Sequence, residues 1–168
     1  MNHQKALEWQ SGLIIALRFL TGWHFLYEGI TKLIHPEWSS LAFLMESKWI
    51  LSGVAGWITS NQGVLNAVDF MNTWGLIAIG LGLILGLLTR WAAIAGVVLL
   101  ALYYLFLPPF IGMETTAPQE GNYLIVNKNL IEAVVLLLIA VAPAAKKFGL
   151  DMLFGKREPF MDESETEK

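Results

Sequence analysis

The sequence predicts an all-α, polytopic membrane protein: a bundle of four transmembrane helices, with an amphipathic helix at the membrane interface between the first and second. Three observations predict it. Of 168 residues, 55% are hydrophobic and only 15% are charged, where soluble domains carry about 25%. The charges are unevenly placed, with six of the fourteen acids in the last 18 residues. The uncharged runs between them are long enough to cross a hydrocarbon core about 30 Å thick. Residues 1–150 are expected to form one transmembrane domain, and 151–168 a polar, acidic, solvated tail with partner binding as its alternative role.

The first apolar segment runs from about Ser11 to Ile34. A signal peptide is the competing reading, but no small-residue cleavage site follows and Arg18 interrupts the apolar core, so a retained helix is expected. In the segment 36–61, Trp38, Leu41, Met45 and Trp49 recur at spacings of three and four, while Glu46 and Lys48 fall near the middle. That pattern suits an amphipathic helix in the interface better than a fifth span.

The run from Trp74 to Leu107 is 34 residues, and as one helix it would be about 51 Å long. A helical hairpin turning at "LLTRW" resolves the excess, and Pro108-Pro109 ends the second arm because proline lacks the donor a helix needs. Ala78, Gly80, Gly82 and Gly86 give the first arm small-residue spacing suited to close helix packing. The fourth helix fits Asn129 to Ala145, ending at Pro143 and Lys146-Lys147. With four spans, Lys5, Arg90, Lys146, Lys147, Lys156, Arg157 and Lys168 share one side, and Lys48 and Lys128 the other. The positive-inside rule then makes both termini cytoplasmic and turns the connections 36–68 and 108–127 outward.

The absence of cysteine excludes disulfides and thiolate-held metal sites within this chain. A single histidine deep in a span, His24, argues against bis-histidine haem ligation. No metal site, catalytic triad, P-loop or nucleic-acid-binding patch is evident.

Ionisable groups inside the spans carry the functional signal, because each is costly in lipid. At 100° per residue, Arg18, Thr21, Gly22, Phe25, Glu28, Gly29 and Lys32 share one face of the first helix, with His24 on its flank. Glu28 and Lys32 are four apart, in the favourable order for an ion pair. Chain direction puts His24, Glu28 and Lys32 at one depth with Asn129 and Glu132 of the fourth helix, and near Asp69 and Asn72 of the second. Arg18 lies deeper, with no partner readable. Such a cluster is a ligand or proton-handling site, a polar network that fixes helix packing, or a surface for a second membrane subunit.

Several stretches resemble the DoxX/DoxD family. In "LRFLTGWHFLYEGITKL", Arg18, Gly22, Phe25-Leu26, Gly29 and Lys32-Leu33 occupy the places of the family's first-helix motif. "IGLGLILGLLTRWAAIAG" (79–96), "NKNLIEAVVLLLIA" (127–140) and "FGLD" (148–151) follow in the family's order. Many members carry a glutamate early in the second helix, where this chain has Trp74, Gly75 and Leu76.

The resemblance implies a small four-helix protein of the bacterial inner membrane, similar to the membrane subunit of thiosulfate:quinone oxidoreductase. Quinone is then the expected cofactor, and the electrons would come from a bound cofactor or another subunit. Glu28 and Glu132 are the candidates for catalytic proton relay. His24, Lys32, Asn72 and Asn129, with Arg18, are the candidates for ligand binding. Membrane lipid and an oxidoreductase subunit are the expected partners, a homo-oligomer is compatible, and nucleic acid is not expected. The alternative is a non-catalytic scaffold or accessory protein that holds a partner with its outer connections.

Overall fold

The computed structural model describes residues 3–110, 124–146 and 149–151. The segment 111–123 and the tail beyond Asp151 lie outside the described residues, and with them most of the long second connection and of the acidic end. The described residues form six helices: α1 (His3–Ile34), α2 (Leu41–Met45), α3 (Ser52–Thr59), α4 (Gln62–Leu85), α5 (Thr89–Phe106) and α6 (Lys128–Val141). A 3-10 turn, Pro143–Lys146, follows α6. No strand occurs among them.

By length and composition, α4 and α5 are apolar enough to cross a membrane. α1, at 32 residues, is about 48 Å long, and α6, at 14 residues, about 21 Å. α1 starts eight residues before the apolar segment does, because "HQKALEWQ" is rich in good helix formers although it is polar.

α4 likewise begins at Gln62, where Asn61 accepts hydrogen bonds from the Gly63 and Val64 N–H groups, well ahead of the apolar run. Its inward face carries Asp69, Asn72 and Thr73 among Leu65, Val68 and Leu76. The apolar run therefore starts only at Trp74, although the helix does not.

The expected hairpin turns where the sequence puts it. Gly86 ends α4 in the left-handed region at φ 63°, a conformation glycine adopts without steric cost. α5 begins at Thr89, and the chain leaves helix after Phe106, ahead of Pro108-Pro109.

The single interfacial helix expected over 36–61 is corrected to two short ones, α2 and α3, separated at 46–51. The stripe is also turned: Met45 is 70% exposed while Leu44, Ala55 and Ile58 are buried. The cause is Asp69 on α4. Its carboxylate accepts from the Ser39 hydroxyl and the Ser40 N–H, both at 2.8 Å, and from the Ser40 hydroxyl. That anchor fixes the rotation of α2, so Leu44 points into a small core with Ala55, Ile58 and Leu65.

In the main bundle α1 packs chiefly on α4, and α5 chiefly on α6. α4–α5 and α1–α6 contacts close the ring. Gly80 permits the tightest approach: a Cβ there would sit 2.5 Å from the Leu26 backbone nitrogen. Of the other small positions on this arm, Gly82 faces Ala92 in the hairpin and Gly86 is the cap. Phe25, Leu76, Ile79, Leu83, Ala93, Leu100, Leu136 and Ile139 fill the centre.

Candidate functional site

The inward face of α1 is the one its spacing predicts. Arg18, Thr21, Gly22, Phe25 and Gly29 are buried and Glu28 and Lys32 half-buried, while Trp23, Tyr27 and Ile30 are exposed. This stripe delivers polar groups to two places that differ in their surroundings.

The first lies where α1 ends and α6 begins. His24 Nδ1 and Glu132 Oε1 are 2.7 Å apart. An ionised carboxylate can only accept, so Nδ1 is the donor of this pair. One turn along, Lys32 Nζ is 3.6 Å from Glu28 Oε2. The same ammonium lies 5.0 Å from the centre of the Trp38 ring and 5.9 Å from that of Tyr103, two cation–π contacts that hold it without consuming its donors. Tyr103 donates its hydroxyl to Asn72 Oδ1. That bond orients the amide, and its NH₂ can donate to a ligand. α6 starts at this level because Asn127 accepts from the Leu130 N–H at 3.0 Å, which sets Asn129 and Glu132 on the first turns facing α1.

Two chambers adjoin this cluster. The inner one, about 100 Å³, is bounded by His24, Glu28, Lys32, Lys128 and Asn129 over a floor of Phe25, Leu76 and Leu100. At roughly 30 Å³ per water it has room for about three. The outer one, about 350 Å³, is lined by Lys32, Trp38, Ser39, Asn72, Tyr103 and Asn129, among others. Of these two, the outer chamber reaches the range of about 300–1,000 Å³ usual for small-molecule sites. Lys32, Tyr103 and Asn129 border both.

The second place is the hairpin end. Arg18 is 1% exposed, and its Nη1 donates to the Ala145 carbonyl at 2.5 Å. Ten residues separate it from Glu28, about 15 Å along the helix. Arg18 therefore does not join the other ligand-binding candidates: it borders neither chamber of the cluster, and it ties α1 to the turn after α6. Nearby, Asp151 accepts from the N–H groups of Leu88 at 2.7 Å and Thr89 at 2.9 Å. It thereby caps α5 from a distance, and the first residue of the expected tail is engaged by the bundle.

His24, Glu28, Lys32, Asn72, Asn129 and Glu132 are thus brought together as their depths predict. Asp69 serves the α2 anchor, and Trp74 points outward, 47% exposed. Sequence reasoning missed Tyr103 and Trp38, which box the lysine. For Tyr103 a signal existed: Ala93, Gly96, Leu100 and Tyr103 follow at spacings of three and four along one face of α5. For Trp38 none did, because its place depends on the Asp69 anchor. Among the described residues, no three histidine or acidic side chains converge as metal ligands.

A family model, DoxX, matches residues 13–108. The chain belongs to the DoxX family. The matched segment covers α1 from its fourth turn through α5, including His24, Glu28, Lys32, Asn72 and Tyr103. Asn129 and Glu132 come from α6, beyond it. DoxX membership and the two apolar helices point to a membrane protein. No curated protein and no solved structure matches the chain.

Proposed function

We propose that this DoxX protein is the membrane subunit of a quinone-linked oxidoreductase, and that it binds the quinone ring in the outer chamber. The observation that carries the reading is the set of donors aimed at one space of suitable size: Lys32 Nζ, the Asn72 NH₂ and the Asn129 side chain around about 350 Å³. A quinone ring presents two carbonyl acceptors on opposite edges, and a pair of such donors is what holds them. The Trp38 and Tyr103 rings supply flat apolar walls.

Reducing a quinone requires protons as well as electrons. The inner chamber joins the lysine to Glu28 and to the His24–Glu132 pair. With about three waters in it, these carboxylates can pass protons toward the ring while Lys32 holds the carbonyl oxygen. The electrons enter from a partner subunit or a cofactor bound at the interface with one.

In the membrane we place four spans, with α1 and α6 beside α4 and α5. α1 and α6 carry polar groups inward, which lipid does not satisfy. The bundle lies in the inner membrane with both termini cytoplasmic, so the cluster sits near the outer surface. Purification in mild detergent, extraction and quantification of quinone per chain test the reading. Near-stoichiometric quinone that falls in Lys32→Met is expected. Trace quinone in both proteins would overturn it and leave the cluster as a packing network or a partner-holding surface.

A further inference from the structure

A third chamber adjoins the outer one. Its volume is about 310 Å³, and Phe43, Leu44, Val68, Leu99, Leu102 and Phe106 make most of its wall. Ser40, Phe43, Asn72 and Tyr103 line both chambers, so the two are neighbours. Every polar residue of the third chamber stands at that shared end. Two of them are already engaged, the Ser40 hydroxyl on Asp69 and the Tyr103 hydroxyl on Asn72. Beyond this end the lining is apolar and offers water no hydrogen-bond partners.

A polar chamber with a lysine therefore stands beside one whose polar residues all lie at the shared end. α2 and α3 roof the apolar part through Leu44 and Ile58, which are 4% and 7% exposed, and the Asp69 anchor keeps that roof in place. At the rim stand Met71 on α4, 72% exposed, and Leu102 on α5, 42% exposed. These are the two helices apolar enough to cross a membrane, so the rim opens where such helices meet lipid. Methionine at a rim adapts to passing groups of different shape.

We infer that the third chamber holds the apolar prenyl tail of the ligand whose ring sits beside Lys32, and that the ligand enters sideways from the lipid past Met71 and Leu102. The inference rests on the quinone reading and adds to it a tail subsite and an entry route. The occupant follows from the polarity gradient. A water-soluble ligand would leave the apolar chamber empty, at a cost to packing. A hydrocarbon chain without a ring would leave the donors of Lys32, Asn72 and Asn129 unmatched.

The test is binding to the full chain in lipid nanodiscs of two probes with the same ring, one tailless and one carrying a decyl tail, read by quenching of tryptophan fluorescence. Wild type is compared with Leu102→Trp and Met71→Trp, which fill the rim from exposed positions, and with Lys32→Met. Ratios of variant to wild type for each probe cancel the tail's partitioning into lipid.

The rim variants should weaken the tailed probe about tenfold and leave the tailless probe within about twofold. Lys32→Met should weaken both. Rim variants that leave the tailed probe unchanged would overturn the tail subsite alone, provided Lys32→Met still weakens both probes. No binding of either probe to wild type, or binding indifferent to Lys32, would overturn the quinone reading as well. A phospholipid acyl chain cross-linked in the chamber by a photoactivatable lipid, undisplaced by the tailed probe, would overturn the prenyl occupant.

Discussion

The two ends of the bundle both draw ionisable side chains out of water, and they treat them differently. At the hairpin end each ionisable side chain is tied to backbone: Arg18 donates to the Ala145 carbonyl, and Asp151, whose carboxylate also attracts the Arg18 guanidinium, accepts from the Leu88 and Thr89 N–H groups. Chain segments close around them, with the Leu150 and Asp151 N–H groups donating to Leu85 and Gly86. Gly149 lies so close that a Cβ would come within 2.6 Å of the Gly86 Cα.

At the other end the partners are side chains of different helices. The cluster is only partly filled, with two chambers between its members. Backbone partners cannot move without unfolding a turn, whereas side-chain partners around a chamber can exchange one another for a ligand. The difference separates charges that build the fold from charges available to chemistry.

Substitutions at both ends break or sharpen this comparison. Arg18→Ala should have the largest effect on stability, a loss of about 3–5 kcal/mol, because it leaves a buried carbonyl and a cavity where a charged donor stood. Thermal unfolding in detergent checks it, and an unchanged midpoint would place Arg18 outside the fold's support. Gly80→Ala between the ends should cost about 1–3 kcal/mol by forcing α1 and α4 apart at Leu26.

Asp151→Ala should cost about 1–2 kcal/mol through loss of the α5 cap, with quinone content per folded chain unaltered. Lys32→Met should change stability least, by about 1 kcal/mol or less, because the Glu28 carboxylate it leaves behind is 45% exposed and can take water in exchange. It should nevertheless lower ring affinity about tenfold. A Lys32→Met protein as unstable as Arg18→Ala would erase the distinction between the ends.

Much of the cluster was legible in the sequence, because helical period and chain direction are both local. Period put Glu28 and Lys32 on the buried face of α1, and direction matched their depth to Asn129 and Glu132. The lysine's aromatic walls were not legible: Trp38 reaches Lys32 only because Asp69, thirty residues on, fixes Ser39 and Ser40. The same anchor undid the expected interfacial helix, since a long-range hydrogen bond outweighed a weak amphipathic pattern. One partner of Arg18, at Ala145, was hidden for a related reason. It is a backbone carbonyl, which every residue possesses and no sequence advertises.

From the sequence alone follow a helical chain, a hairpin turn around 87–91, a stop before Pro108 and one face of α1 that must look inward. These follow from local sterics, from proline's missing donor and from the cost of charge in lipid. Only the tertiary structure decided which buried charges share a chamber and which are closed off by backbone. That choice depends on which helices touch and at what height, and on the rotation that remote anchors such as Asp69 impose, so no local pattern encodes it.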